Sequence, residues 1–174
     1  MIAGLFVVAG VWAPPKQIQR ISPVEYTLTT RADLRAFEWI QDNLPSEAKF
    51  LVNAFFAYEG SAIVGSDAGW WLPLLARRET NLPPLLYLTE RGPRPDFQAG
   101  TTQLVAQIIL SGLDHSAVLD ELKRRGIEYL YIGQRQGLVN TSQPLIKLGT
   151  LINHPGFELV YHQDRVWIFQ IRDR

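Results

Sequence analysis

The seven residues Ile127 to Gly133 (IEYLYIG) restrict the fold of this chain more than any other segment. Their β-branched and aromatic content, after the stop at Gly126, predicts the clearest strand in the chain. A helical pattern runs just before it, from about His115 to Arg125, with Val118, Leu119 and Leu122 turned inward and Gly126 as its stop. Another helix precedes that one, starting at Thr101 or Thr102. Leu104, Val105, Ile108 and Ile109 form its apolar stripe, and Gly112 closes it. Two strands end the chain, Phe157 to Tyr161 and Val166 to Ile171, with His162 to Arg165 as the turn between them.

The same grammar appears earlier. Thr30 and Asp33 have capping-box spacing. Leu34, Phe37, Ile40 and Leu44 follow at helical spacing, and Pro45 ends that helix. Lys49 to Ala54 (KFLVNA) predicts a buried strand, and Ile63-Val64 a shorter one. Asp67 stands where it can cap a short helix running through Trp71 to Arg77, with Pro73 tolerated early in it. Residues 81 to 100 hold Pro83, Pro84, Pro93 and Pro95 and predict a long irregular loop. Pro144 to Asn153 suits a helix with Leu145, Leu148 and Ile152 inward, and Gln134 to Ser142 a polar loop. Helices alternating with strands and a terminal pair of strands predict an α/β fold: a small mixed β-sheet flanked by helices, ending in a C-terminal β-hairpin.

Charge and cysteine content narrow the function. Lys plus Arg and Asp plus Glu each number 17, so no net field favours nucleic acid, and no partner of that kind is expected. The chain has no cysteine, which rules out disulfides and thiolate chemistry. His115, His154 and His162 stand far apart, without metal-ligand spacing, so no metal or other cofactor is expected. The phosphate-loop, dinucleotide, nucleophile-elbow and HExxH patterns are all absent, and no catalytic residue is assigned.

Met1 to Ala13 (MIAGLFVVAGVWA) carries no charge. A complete spanning helix needs about 20 apolar residues, so this run cannot span alone. Residues 1–13 are read as the end of a truncated transmembrane helix, with Trp12 at the interfacial level and Pro14-Pro15 stopping the helix beyond it. A buried N-terminal element and a signal peptide are the other two readings. Residues 14–174 then form one soluble α/β domain. Lys16, Arg20, Arg31 and Arg35 follow the run, and positive charge near a span favours the cytoplasmic side.

The richest polar-aromatic segment is Gly65-Ser66-Asp67-Ala68-Gly69-Trp70-Trp71-Leu72-Pro73. Asp67 can accept hydrogen bonds, Trp70 and Trp71 can offer flat faces to a sugar or lipid carrier, and Arg77 and Arg78 can pair with a phosphate or carboxylate. These five are the candidate substrate-binding residues. The structural alternative makes Asp67 an N-cap, one Trp core, and the arginines a solvated helix end. Arg135, just beyond the clearest strand, is a minor candidate because ligands of open α/β sheets bind past the carboxyl ends of strands.

Residues 32 to 54 (ADLRAFEWIQDNLPSEAKFLVNA) resemble the lead-in to the extracytoplasmic domain of GT-C-type polytopic membrane glycosyltransferases. There a helix of the form W-I-x-x-N-x-P-x-x-A precedes the first strand. Trp39, Ile40, Asn43, Pro45 and Ala48 match it here. Segment 65 to 80 is similar to the region around the WWDxG motif of oligosaccharyltransferase catalytic subunits. Asp67 and Gly69 match its Asp and Gly, and Ala76, Arg77 or Arg78, and Thr80 echo the stretch after it. Gly65 and Ser66 replace the two Trp of that motif, so its peptide recognition is not carried over. The resemblance implies an extracytoplasmic, membrane-associated domain of an integral-membrane glycosyltransferase using a lipid-linked sugar donor. It implies that the domain helps position acceptor or donor, is not catalytic alone, and has as partners the membrane part of its own parent chain and a polyprenyl-phosphate sugar. A non-catalytic assembly or ligand-binding domain of another membrane protein is the alternative.

Overall fold

The computed structural model describes residues 27–82, 95–138 and 143–172. Residues 1–13, residues 14–26 after them, and residues 83–94 of the proline-rich segment lie outside the described residues. Helix α1 (Arg31–Asn43) begins with the expected capping box. Asp33 N donates to Thr30 Oγ1, and Thr30 N donates back to Asp33 Oδ2 at 2.8 Å. Strand β1 (Lys49–Val52) follows. The expected Lys49 to Ala54 strand is in fact two, because β2 (Ala54–Ala57) leaves the main sheet and pairs antiparallel with β3 (Ala62–Gly65). A 3-10 turn (Ala68–Trp71), capped by Asp67, leads into one-turn α2 (Leu72–Leu75) and two-residue β4 (Glu79–Thr80).

Helix α3 (Phe97–Ser111) starts a turn earlier than the threonines suggest, since Thr101 serves on its buried face rather than as a cap. Helix α4 (Ser116–Arg124) is capped by His115, whose Nδ1 accepts from Ala117 N. Strand β5 (Tyr129–Ile132) is buried throughout. The expected helix from Pro144 shrinks to α5 (Leu148–Leu151). Its would-be first turn is a bend at Leu145 and Ile146, where Ile146 N donates to the side chain of Asn53 at 2.8 Å. Strands β6 (Phe157–Gln163) and β7 (Val166–Ile171) form the terminal hairpin. Its turn is two residues rather than four: Asp164 and Arg165 take φ of 49° and 66°, a primed turn that matches the twist of the strands. His162 stacks on Trp167 beside it, and that pairing extends β6 to Gln163.

The five-stranded sheet has the order β4-β1-β5-β7-β6. β4, β1 and β5 are parallel, and β7 and β6 run antiparallel to their neighbours. The fold is therefore the mixed α/β arrangement expected, ending in a hairpin. Edge strand β6 is largely exposed and carries an irregularity near Val160, features that discourage edge pairing. The core joins Phe50, Leu51 and Val52 of β1 and Leu130 and Ile132 of β5 to Leu104, Ile108, Val118 and Leu122 of the later helices. Helix α1 lays Phe37 against Tyr131, ring centroids 5.6 Å apart. Each such buried side chain stabilises the fold by about 1.5–3 kcal/mol relative to exposure. Among the described residues no helix is long and apolar enough to cross a membrane.

Candidate functional site

The order of the strands locates the site. From β1 the chain moves outward to β4, then returns to place β5 on the other side of β1. The crevice beyond the carboxyl ends of β1 and β5 is thus a topological switch point, where open α/β sheets bind ligands. Asn53 leaves β1 there, and Gly133 leaves β5.

In this protein the crevice is filled from within. Asp67 Oδ2 accepts from Asn53 Nδ2 and from Gly133 N, each at 3.0 Å, and Oδ1 accepts from Gly69 N at 2.9 Å. The Asp67 carboxylate therefore rests on two backbone N–H groups and an amide, the donors an anionic ligand would want at such a place. Asn53 completes the bridge, its Oδ1 accepting from Ile146 N at 2.8 Å. Burial pushes the Asp67 carboxyl up to about 6, against the pull of these three hydrogen bonds, and the nearby charge of Asp33 adds to the rise.

Asp33 is the second buried carboxylate. Beyond its cap to Thr30, Oδ1 accepts from Tyr131 Oη at 2.9 Å and from Gln134 N at 3.0 Å. With Thr30 Oγ1 donating to Oδ2 at 2.7 Å, its lone pairs are taken. Burial and the two carboxylates hold the Tyr131 hydroxyl well above its ordinary value, so it remains a donor. Glycines make the cluster compact. A Cβ on Gly137 would come within 2.4 Å of Asn53 Cγ, and one on Gly133 within 3.0 Å of Asp33 Oδ1.

The five candidate residues separate into two groups. Asp67, Trp70 and Trp71 lie together at the carboxyl edge. The Trp70 ring is half-buried over Gly65, where a Cβ would meet its Cε3 at 2.1 Å, while Trp71 is 39% exposed. Arg77 and Arg78 are not brought to them. Arg78 is buried and donates to Ile40, Gln41 and Leu44 carbonyls, the last at 2.8 Å, closing the C-terminal end of α1. That end lies about 15 Å along the helix from Asp33 at its start. Arg77 is exposed, with φ of 54°. Arg135 Nε donates to Thr27 O, fixing the incoming chain to the loop after β5.

Three buried residues, Asp33, Asn53 and Gly133, complete the cluster without having stood out as site residues. Asp33 is legible as a cap, and Asn53 interrupts an apolar strand, which is the one signal that marks it. Among the described residues no group of His, Cys, Asp or Glu is arranged to hold a metal ion. An apolar groove of about 410 Å³ lies beside the cluster, lined by Phe55, Phe56, Ile108, Ile109 and Leu145. No protein-family model, curated protein or solved structure matches this chain.

Proposed function

We propose that this chain is a membrane-associated accessory domain of a GT-C-type glycosyltransferase, which uses a polyprenyl-phosphate-linked sugar and relies on this domain to help position donor or acceptor. One observation carries the reading. Thr27 O accepts from Arg135 Nε at the carboxyl edge, and residues 14–26 separate Thr27 from the uncharged run Met1 to Ala13. A linker of that length reaches at most about 45 Å. A membrane tail would therefore hold the domain within that distance of the bilayer, where a lipid-linked sugar presents its headgroup, with the chain entering at the switch-point edge. The internal anchoring of Asp67 and Asp33 fits a positioning role, since both carboxylates are committed to holding the edge in shape.

The test is a titration of the full chain with a soluble farnesyl-phosphate-linked hexose, followed by amide NMR. Shifts confined to Trp70, Trp71 and Gly133 to Leu138 support the reading. A saturating ligand that shifts only the opposite edge, or no residue at all, overturns it. So does sugar transfer by the purified chain alone.

A further inference from the structure

Of the ten large apolar side chains exposed among the described residues, Leu34, Tyr58, Trp71, Ile109, Leu110 and Leu138 belong to elements that meet at the carboxyl edge, while Leu74, Leu75, Ile152 and Leu159 lie elsewhere. Leu34 lies on the first turn of α1, beside Asp33 and therefore beside the end of β5. Near the end of α3, Ile109 lines the apolar groove with Phe55 and Phe56, and the next residue, Leu110, is 85% exposed. Leu138, 58% exposed, follows Gly137, which packs on Asn53. Trp71 belongs to the turn that Asp67 anchors.

The β2–β3 hairpin rises from the same place, joined at its base by Ser66 N donating to Asn53 O. Its residues 54–65 contain a single charge, Glu59. Phe56 and Ile63 turn toward the core, so the alternating pair Phe55 and Val64 turns away from it. At its tip Tyr58 and Glu59 both take positive φ, 49° and 57°, conformations that non-glycine residues rarely adopt. They hold Tyr58 out with 67% of its surface exposed. A two-stranded ribbon is marginal in water by itself, and this one keeps its outer face apolar.

We infer that the carboxyl edge seats on a lipid bilayer, with the Tyr58 hairpin tip, Trp71, Leu110 and Leu138 entering the interfacial layer. The inference rests on the membrane placement proposed above and adds which surface makes contact. A bilayer is the occupant argued from the sequence that leads into this edge: Arg135 holds Thr27 there, and residues 14–26 separate Thr27 from the uncharged apolar run Met1 to Ala13. Tyr and Trp are the aromatic residues that favour the interface, having an apolar body and a polar tip. Exposed Arg31 and Arg165 flank the patch and can reach headgroup phosphates while their stems stay on apolar surface.

The absence of cysteine gives a direct experiment on the full 174-residue chain. Single variants Tyr58→Cys, Leu138→Cys and, on the last turn of α1, Asp42→Cys are labelled with an environment-sensitive nitrobenzoxadiazole dye. Each is mixed with vesicles of equimolar phosphatidylethanolamine and phosphatidylglycerol. The inference expects emission to rise roughly threefold or more and shift to the blue at positions 58 and 138, with shielding from an aqueous quencher, as for an interfacial apolar face. Position 42 stays unchanged. If the chain binds vesicles but all three labels remain equally quenchable, the edge does not touch lipid. The inference then fails while the tail-anchored reading stands. If the chain does not bind vesicles at all, both fail.

Discussion

At the carboxyl edge of the parallel strands, two carboxylates lie in the interior among neutral donors. At the amino edge, carboxylates meet cations close to solvent. Asp33 and Asp67 are held by backbone N–H groups, Asn53, Thr30 and a tyrosine. Lys49 pairs with Glu79 at 3.5 Å, Arg172 with Glu158 at 3.3 Å, and Glu121 with Arg124 and Arg125. The cavity of about 620 Å³ bordering that second edge is lined by Lys49, Glu79, Glu121 and its two arginines, together with Asn81 and Thr101. At the amino edge Glu79, Arg124, Glu158 and Arg172 keep much of their hydration, and ion pairs with such exposed members contribute little to stability. The Asp33 and Asp67 carboxylates at the carboxyl edge have given up water, so each depends on its full set of donors. The difference teaches where the fold can tolerate change and where it cannot.

The sharpest break comes from Asp33→Ala. It strands four donors, among them Tyr131 Oη and Gln134 N, and should cost about 3–5 kcal/mol, read by urea denaturation. A loss under about 1 kcal/mol would mean that water replaces the carboxylate and the edge is not sealed. Asp67 gives the next effect. Its folded pKa of about 6 stands above the unfolded 3.8, so the folded state binds the proton more tightly. That contribution is complete below the unfolded value and is lost as pH rises through about 6. Stability should therefore increase on acidification through this window, by an amount on the order of 3 kcal/mol from this group. In Asp67→Asn the rise should vanish.

Gly65→Ala should cost about 2 kcal/mol by pushing the Trp70 ring off the hairpin base, with a matching change in near-ultraviolet circular dichroism. At the amino edge, Glu79→Gln should alter the melting temperature barely, since its carboxylate is exposed and the pair is screened. If that substitution were as costly as Asp33→Ala, the contrast between the edges would be wrong.

Local patterns made much of the fold legible. The Thr30–Asp33 box, the β5 run and the terminal pair of strands are each written within a few residues. The features that escaped them are set by distant partners. Two-residue β4 exists because Lys49 and Phe50 offer it a parallel edge, not because Glu79-Thr80 favours a strand. β2 and β3 divide from the main sheet at Asn53, whose polar side chain is needed by Asp67 and Ile146. The site was half legible for the same reason. Asp67 announces itself as a cap, but its second oxygen reaches Gly133, 66 residues on, and no periodicity records that bond. Arg78 looked available beside Arg77, yet the open carbonyls of α1 claim it.

The separation of those partners also bears on time. The bonds from Asn53 to Ile146 and from Asp33 to Gln134 span 93 and 101 residues. They can close only after β1 and β5 have found each other across the whole length of α3 and α4. Interactions that form so late are absent from an early transition state, so weakening them should hasten unfolding while leaving the refolding rate nearly untouched. Asp33 and Asp67 would then act as a latch on the native state, setting its lifetime more than the speed of its assembly.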